Sequence, residues 1–70
     1  MARKYVAYVV QREHGAERFV GEYTRLSKAL LDARGMCREY GREWDWVVDT
    51  YKDGAQISRR SSIAGFEPFV

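Results

Sequence analysis

The chain has few of the residues that mark secreted, membrane-spanning or disulfide-bonded proteins. It contains one cysteine, Cys37, so no internal disulfide can form. No apolar run approaches the roughly 18 residues that a membrane-spanning helix needs. The run at residues 5–10 follows Arg3 and Lys4 as in a signal peptide, but Gln11 and the charged residues after it end the run too early. We therefore expect a protein of the reducing cytoplasm, with no membrane partner.

Groups suited to catalysis or metal binding are also scarce. His14 is the only histidine, and a solvated turn is its simplest interpretation. Cys37 lies on the apolar side of a predicted helix, which favours a buried, unreactive thiol. Asp45 and Asp49 could pair as acids, but solubilising charge on an exposed strand face explains them better. Without clustered Cys and His ligands or a phosphate-binding glycine loop, we expect no enzyme, no catalytic residue, no metal and no cofactor.

The composition supplies enough apolar material for one small folded domain. Apolar residues make up 46% of the chain, which is too many for a disordered protein. A length of 70 residues predicts a single domain, 1–70, with a limited core. The formal net charge of +2 is too small to indicate nucleic acid by itself. Arginine outnumbers lysine, which fits either bidentate contacts to carboxylate and phosphate or the codon composition of the source genome.

Residues 27–40 have the periodicity of an amphipathic helix. At about 100° per residue, the apolar side chains fall on one side, as expected for a helix lying on a sheet. Ser27 is the predicted N-cap, and Gly41 suits the position that ends a helix. The apolar side comprises Leu26, Ala29, Leu30, Ala33, Met36, Cys37 and Tyr40. The opposite side carries a basic ridge with a leucine beside it, namely Arg34, Arg38, Arg42 and Leu31.

Four segments rich in β-branched and aromatic residues are predicted strands, at residues 5–11, 18–24, 44–51 and 56–60. Their order around the helix predicts an α+β fold, a single antiparallel four-stranded sheet (ββαββ) with one helix packed on one face. The first and third strands are expected to pair at the centre, because both faces of the first strand are apolar. A C-terminal tail, 61–70, is expected to dock on the body.

Two short turns are predicted to join the strands. The dipeptide His14-Gly15 is expected to form a two-residue turn that sets Val10 opposite Phe19. The dipeptide Asp53-Gly54 is the strongest turn signal in the chain, because both residues tolerate positive φ.

Alternation along the strands assigns side chains to two sheet faces. The face beneath the helix is expected to hold Val6, Tyr8, Val10, Phe19, Tyr23, Trp44, Trp46, Val48 and Ile57. The other face has no covering element, and its candidate partner-binding residues are Tyr5, Val9, Val20 and Tyr51, with Arg18 and Arg60 at the rim. An uncovered apolar sheet face often marks an interface. In the alternative interpretation, the tail folds over this face and nothing stays exposed.

These surfaces support three hypotheses. The leading one is a non-enzymatic protein-interaction module that uses the open sheet face and the helix ridge. The alternative is a small nucleic-acid-binding domain that uses the arginine ridge and aromatic side chains of the sheet. The third is a homodimeric structural subunit whose sheets pack together.

The element order, the length and the segment Tyr51-Lys52-Asp53-Gly54 resemble those of small uncharacterised bacterial and phage domains. In these domains two strands precede an alanine-bearing helix and a hairpin with Asp-Gly at its tip. The layout is also similar to that of several small phage-encoded anti-CRISPR proteins. This resemblance implies an inhibitor that acts without catalysis, by occupying a surface of a host nuclease complex. It is a resemblance of architecture, so it assigns no residue a role.

Overall fold

Five strands form one antiparallel sheet with a helix on one side, in a computed structural model that describes residues 2–69. The elements are β1 (Arg3–Gln11), β2 (Glu17–Tyr23), α1 (Leu26–Tyr40), β3 (Trp44–Lys52), β4 (Ala55–Ser61) and β5 (Gly65–Pro68). In the sheet the strands follow the order β2-β1-β3-β4-β5. The α+β class and the central pairing of the first and third strands are confirmed. The prediction of four strands is wrong by one, because the segment after β4 adds an edge strand.

The register of the central strands shows which face lies beneath the helix. β1 sets Ala7 opposite Val48 and Val9 opposite Trp46. Ala7 and Val48 form a fully buried cluster with Ala29 and Ala33 of α1. The odd-numbered residues of β1 therefore face the helix, because side chains alternate along a strand. The small alanine side chains on both elements allow the helix backbone to lie close to the sheet.

Four of the residues predicted to face the helix therefore lie on the other face of the sheet. Trp46 and Val48 lie beneath the helix as predicted, and so does Tyr23, whereas Val6, Tyr8, Val10 and Phe19 lie on the opposite face. The physical reason is that both faces of β1 are apolar, so the alternation of its side chains does not distinguish the two faces.

The first hairpin contains a bulge that the sequence pattern did not predict. β2 sets Gly21 opposite Ala7 but Phe19 opposite Tyr8, so Val20 is an additional residue on the bulged strand. The predicted pairing of Val10 with Phe19 and the two-residue turn are wrong, because the loop spans residues 12–16. Its ends are held by the Gln11 amide, which donates to the carbonyl oxygen of Ala16 over 2.7 Å.

Gly21 leaves space at the bulge for a neighbouring side chain. A Cβ at this position would lie 2.8 Å from the Tyr23 hydroxyl oxygen. The glycine therefore leaves room for the Tyr23 side chain, whose hydroxyl donates to Asp32 of α1 over 2.8 Å. This hydrogen bond ties the edge strand to the helix.

The helix begins one residue earlier than predicted and ends where predicted. Arg25 occupies the N-cap position without a side-chain capping bond, so the prediction of Ser27 as N-cap is wrong. At the other end, Gly41 has φ of 111°, and its amide donates to the Cys37 carbonyl oxygen over 3.1 Å. Tyr40 packs edge-on against Trp44 with ring centres 4.7 Å apart, which fixes the start of β3 against the last turn of the helix.

The second hairpin has the predicted turn. Asp53 and Gly54 have φ values of 51° and 86°, as a tight hairpin turn of this type requires. A second bulge lies between Thr50 and Tyr51, and beyond it Asp49 pairs with Arg59. No helix of the described residues is long and apolar enough to cross a membrane.

The C-terminal segment extends the sheet sideways. β5 pairs with β4, setting Arg60 opposite Phe66. The Phe69 amide then donates to the Ile57 carbonyl oxygen over 2.8 Å, so contact with β4 continues past β5. The tail therefore does not cover the open face as the alternative required; it extends the sheet at the edge of that face, and large apolar side chains there stay exposed. Val70, the last residue of the predicted tail, lies outside the described residues.

Candidate interaction surfaces

The helix covers only part of one sheet face, which leaves two surfaces uncovered. Within residues 2–69, α1 packs on β1, β2 and β3 and does not reach β4 or β5. We call the sheet face away from the helix the open face. It carries the even-numbered residues of β1 and the odd-numbered residues of β3. The second surface is the part of the helix side that lies between α1 and β5.

Most of the residues predicted for the open face lie elsewhere. Tyr5 and Val20 pack against the core beneath the helix, and Val9 is fully buried. Their assignment to the open face is wrong for the reason given above, the two apolar faces of β1. Tyr51 does lie on the open face, opposite Lys4, whose amine is 5.8 Å from the centre of the Tyr51 ring.

The two rim arginines are also on the other side of the sheet. Arg18 is paired with Val9 and Arg60 with Val48, and directly opposed residues share a face. Both arginines therefore lie on the helix side, Arg18 on the edge strand β2 and Arg60 on the inner strand β4. Their predicted place beside the open face is wrong.

The residues of the helix ridge are exposed, as expected. Leu31 is 65% exposed, and Arg34 and Arg38 lie on the outside of α1. Arg42 follows Gly41 and so lies beyond the helix, but it lines the same groove as Arg34 and Arg38. Leu31 lies in a different groove, toward β2, beside Val20.

On the open face, Asp49 is the centre of a buried polar cluster. It is 5% exposed and accepts two hydrogen bonds from Arg59, at 2.7 and 3.2 Å. The Tyr8 hydroxyl donates to the same carboxylate over 3.2 Å. Burial, together with the negative charge of Asp49, raises the pKa of Tyr8 to about 12, so this phenol stays protonated and remains a donor.

Asp45 is the centre of a second cluster, four residues before Asp49 on β3. It is 6% exposed and accepts from Arg12 Nε and Nη2 at 3.2 and 3.1 Å. The Ser62 hydroxyl also donates to Asp45, over 3.0 Å, and accepts from the Trp46 amide. The Arg12 hydrogen bonds lower the pKa of Asp45, so it stays ionised. The cluster joins the loop after β1, the strand β3 and the segment after β4.

These clusters correct the interpretation of both aspartates as solubilising surface charge. Each is buried and bound by an arginine. Sequence reasoning missed Arg12, Arg59, Tyr8 and Ser62 as their partners, because the pairings join residues 10 to 41 positions apart. They depend on the strand register, and the bulges shift that register. The available sequence signal for such pairs would have been acidic residues on one strand of a predicted hairpin and basic residues at the facing positions of the other strand.

A groove crosses the open face between the two clusters. Val47, 3% exposed, forms part of its floor beside Tyr8 and Val10. Ile63, in the turn between β4 and β5, lines the groove and is 66% exposed. Phe19, opposite Tyr8 on the edge strand, is 67% exposed on the same face.

The groove also carries two exposed carboxylates. Glu17 and Glu67 line it, and within residues 2–69 neither lies within 4.0 Å of a basic side chain. The groove therefore combines an apolar floor with negative charge at its sides.

On the helix side, arginines lie on aromatic rings. The Arg34 guanidinium carbon is 5.1 Å from the centre of the Trp46 ring, and that of Arg60 is 4.7 Å from the centre of Phe66. Both distances are typical of cation–π contacts. We call the set formed by these four residues with Arg38 and Arg42 the arginine flank.

Groups capable of catalysis are dispersed. His14 lies exposed in the loop between β1 and β2. The Cys37 thiol donates to the Trp44 carbonyl oxygen over 3.2 Å, and burial raises its pKa, so it is protonated at neutral pH. In the part of the chain that the structure describes, no three His, Cys, Asp or Glu side chains are grouped so as to hold a metal ion.

Comparisons with family models, curated proteins and solved structures give no match to this chain. The similarity to phage anti-CRISPR proteins therefore stays a prediction. The two surfaces are interpreted below from their own chemistry.

Proposed function

We propose that this protein is a non-enzymatic protein-interaction module that docks a partner protein on the open face. The supporting observation is the groove lined by Ile63, with Phe19 on the same face; both are large apolar side chains that are about two-thirds exposed. Apolar side chains placed around a half-buried floor favour burial by a partner. The Asp45 and Asp49 clusters tie together the segments on either side of Ile63, since Ser62 binds Asp45 and Arg59 binds Asp49.

Charge complementarity indicates the chemistry of the partner. Glu17 and Glu67 flank the apolar floor. A segment that inserts an apolar side chain and places lysine or arginine on either side would satisfy both features. A second copy of this chain would instead bring the same glutamates together, which disfavours a homodimer through this face.

The proposed biological role follows the resemblance in element order. We propose an inhibitor encoded by a phage or another mobile element, which acts in the host cytoplasm by covering a surface of a defence complex. The partner is then a protein or a protein–nucleic acid complex, bound without chemical change.

Affinity capture from host cells with matched variants tests this function. Phe19→Glu and Ile63→Glu each place a charge on an exposed side chain of the open face, whereas Leu31→Glu does so on the helix side. We expect mass spectrometry to find a partner with the wild-type chain and Leu31→Glu, and at least tenfold less with the other two. Equal capture by all three folded variants would contradict the assignment. Sedimentation that shows a dimer lost in Phe19→Glu would replace the partner with a second copy.

A further inference from the structure

The arginine flank carries guanidinium groups that have no carboxylate partner in the described part of the chain, unlike Arg12 and Arg59 on the open face. Within residues 2–69, no carboxylate lies within 4.0 Å of Arg34, Arg38, Arg42 or Arg60. Acidic residues are interleaved with these arginines in the sequence, namely Asp32, Glu39, Glu43, Asp45 and Asp49. In the fold, Asp45 and Asp49 are bound on the open face, and Asp32 is bound to Lys28 on the other side of the helix. Glu39 and Glu43 are exposed, and among residues 2–69 neither lies within 4.0 Å of these guanidinium groups, so the flank carries positive charge without a carboxylate partner.

The arrangement of the four guanidinium groups suits an extended polyanion. Arg34, Arg38 and Arg42 line one groove beside Trp46. Arg34 and Arg38 are one helical turn apart, a rise of about 6 Å, which places them along the groove and not at one point. Arg60 pairs with Val48, the residue two positions after Trp46 on the same face of β3, so it adds a charge on the β4 side.

The stacked rings favour nucleotides over acidic peptides. The guanidinium carbons of Arg34 and Arg60 lie over the rings of Trp46 and Phe66, so cationic and aromatic groups adjoin each other at two points of the flank. Unpaired bases stack on guanidinium planes and on aromatic rings, and Phe66 is 53% exposed. A peptide carboxylate would use only the edges of the guanidinium groups. A groove beside a helix also accepts a single strand more readily than a duplex, which is read by a protruding element.

We infer that the arginine flank binds single-stranded nucleic acid, through the phosphate backbone and with little sequence preference. The site lies on the opposite side of the sheet from the proposed protein-docking groove. A protein that uses both surfaces would contact a partner protein and the nucleic acid bound to it.

Fluorescence anisotropy with a labelled 20-nucleotide oligo(dT) and a matched mixed-sequence RNA tests the inference. With four phosphate contacts, the slope of log K against log salt is expected near −2.8, so raising salt from about 50 to about 200 mM weakens binding about 50-fold. Arg34→Gln combined with Arg38→Gln should halve the slope, leaving about a sevenfold effect over the same range. Phe66→Ala should weaken binding about fivefold or more with the slope unchanged, because it removes stacking and no charge.

Arg3→Gln combined with Arg18→Gln is the matched control, since it removes the same charge from exposed positions away from the flank. We expect this control to keep the wild-type slope. An equal loss in both double variants, or no binding at about 50 mM salt, would overturn the site. Tighter binding of duplex than of single strands, or equally strong competition by polyglutamate, would overturn the ligand class. Phe19→Glu should bind the oligonucleotide as the wild type does, so this test is independent of the docking groove.

Discussion

The two sides of the sheet use arginine in opposite ways. On the open face, Arg12 and Arg59 each bind a buried aspartate with two hydrogen bonds. On the helix side, Arg34 and Arg60 lie on aromatic rings and have no carboxylate partner among the described residues. The first arrangement holds segments of the chain together. The second leaves charge available to a ligand. The number of arginines alone therefore does not separate these two arrangements, whereas the partner of each guanidinium does.

Of the substitutions that test this difference between the two sides, Asp49→Ala is expected to lower the stability most. Asp49→Ala leaves Tyr8 and Arg59 without their shared acceptor, and a half-buried guanidinium without a partner is costly. Because Arg59 is partly exposed, we expect a loss of about 2 kcal/mol in the free energy of unfolding. Urea denaturation followed by tryptophan fluorescence measures it. A loss below about 0.5 kcal/mol would show that the cluster does not stabilise the fold.

A smaller loss is expected at Arg12. Arg12→Gln removes the two-point contact to Asp45, and because the Arg12 side chain is largely exposed we expect a loss in the free energy of unfolding that is smaller than that of Asp49→Ala. Ser62→Ala removes the neutral donor to the same carboxylate and separates its contribution from that of the charge. If Arg12→Gln were as stable as the wild type, the Asp45 cluster would be a surface contact only.

The stabilisation by the Arg12–Asp45 pair should depend on pH. The change in the free energy of unfolding in acid should be no larger than the contribution of the pair itself. The pKa of Asp45 is lower in the folded chain than its ordinary value, so the unfolded chain binds more protons in acid. This contribution is complete above about pH 4 and is lost as the pH falls through the folded pKa. Asp45→Asn should be less stable than the wild type at pH 7 and approach it as the pH falls below the folded pKa of Asp45. A constant difference across a series of urea titrations would contradict this linkage.

The smallest effect is expected on the arginine flank. Arg38→Gln relieves repulsion from Arg34 and loses a favourable charge in the last turn of the helix, and these effects are similar in size. The free energy of unfolding should change by less than about 0.3 kcal/mol. Arg12→Gln is the matched substitution on the open face. Equal losses in the two variants would remove the distinction between the two sides.

Local features of this fold could be predicted from the sequence, and long-range ones could not. The apolar side of α1, its end at Gly41 and the Asp53-Gly54 turn depend on residues close together in the chain. The Asp49–Arg59 pair depends on a bulge, since counting back from the turn without it would set Asp49 opposite Ser58.

The face assignment failed for a related reason. Ala7 and Val9 are apolar, and so are Val6 and Val10, so the pattern of β1 does not show which set meets the helix. In the fold, Ala29 and Ala33 of α1 pack on Ala7, where their small side chains allow the helix backbone to lie close to the sheet. The arginine–ring contacts had no sequence signal, since Arg34 and Trp46 meet only through the packing of α1 on β3.

The bulge at Val20 and Gly21 has a consequence for behaviour at high concentration. It lies in β2, an outer strand whose free edge would otherwise offer backbone groups to another chain. A bulge increases the local twist and interrupts the regular spacing of these groups, so a second strand cannot align along the full edge. The irregularity that defeated the register prediction therefore also protects the protein from edge-to-edge aggregation.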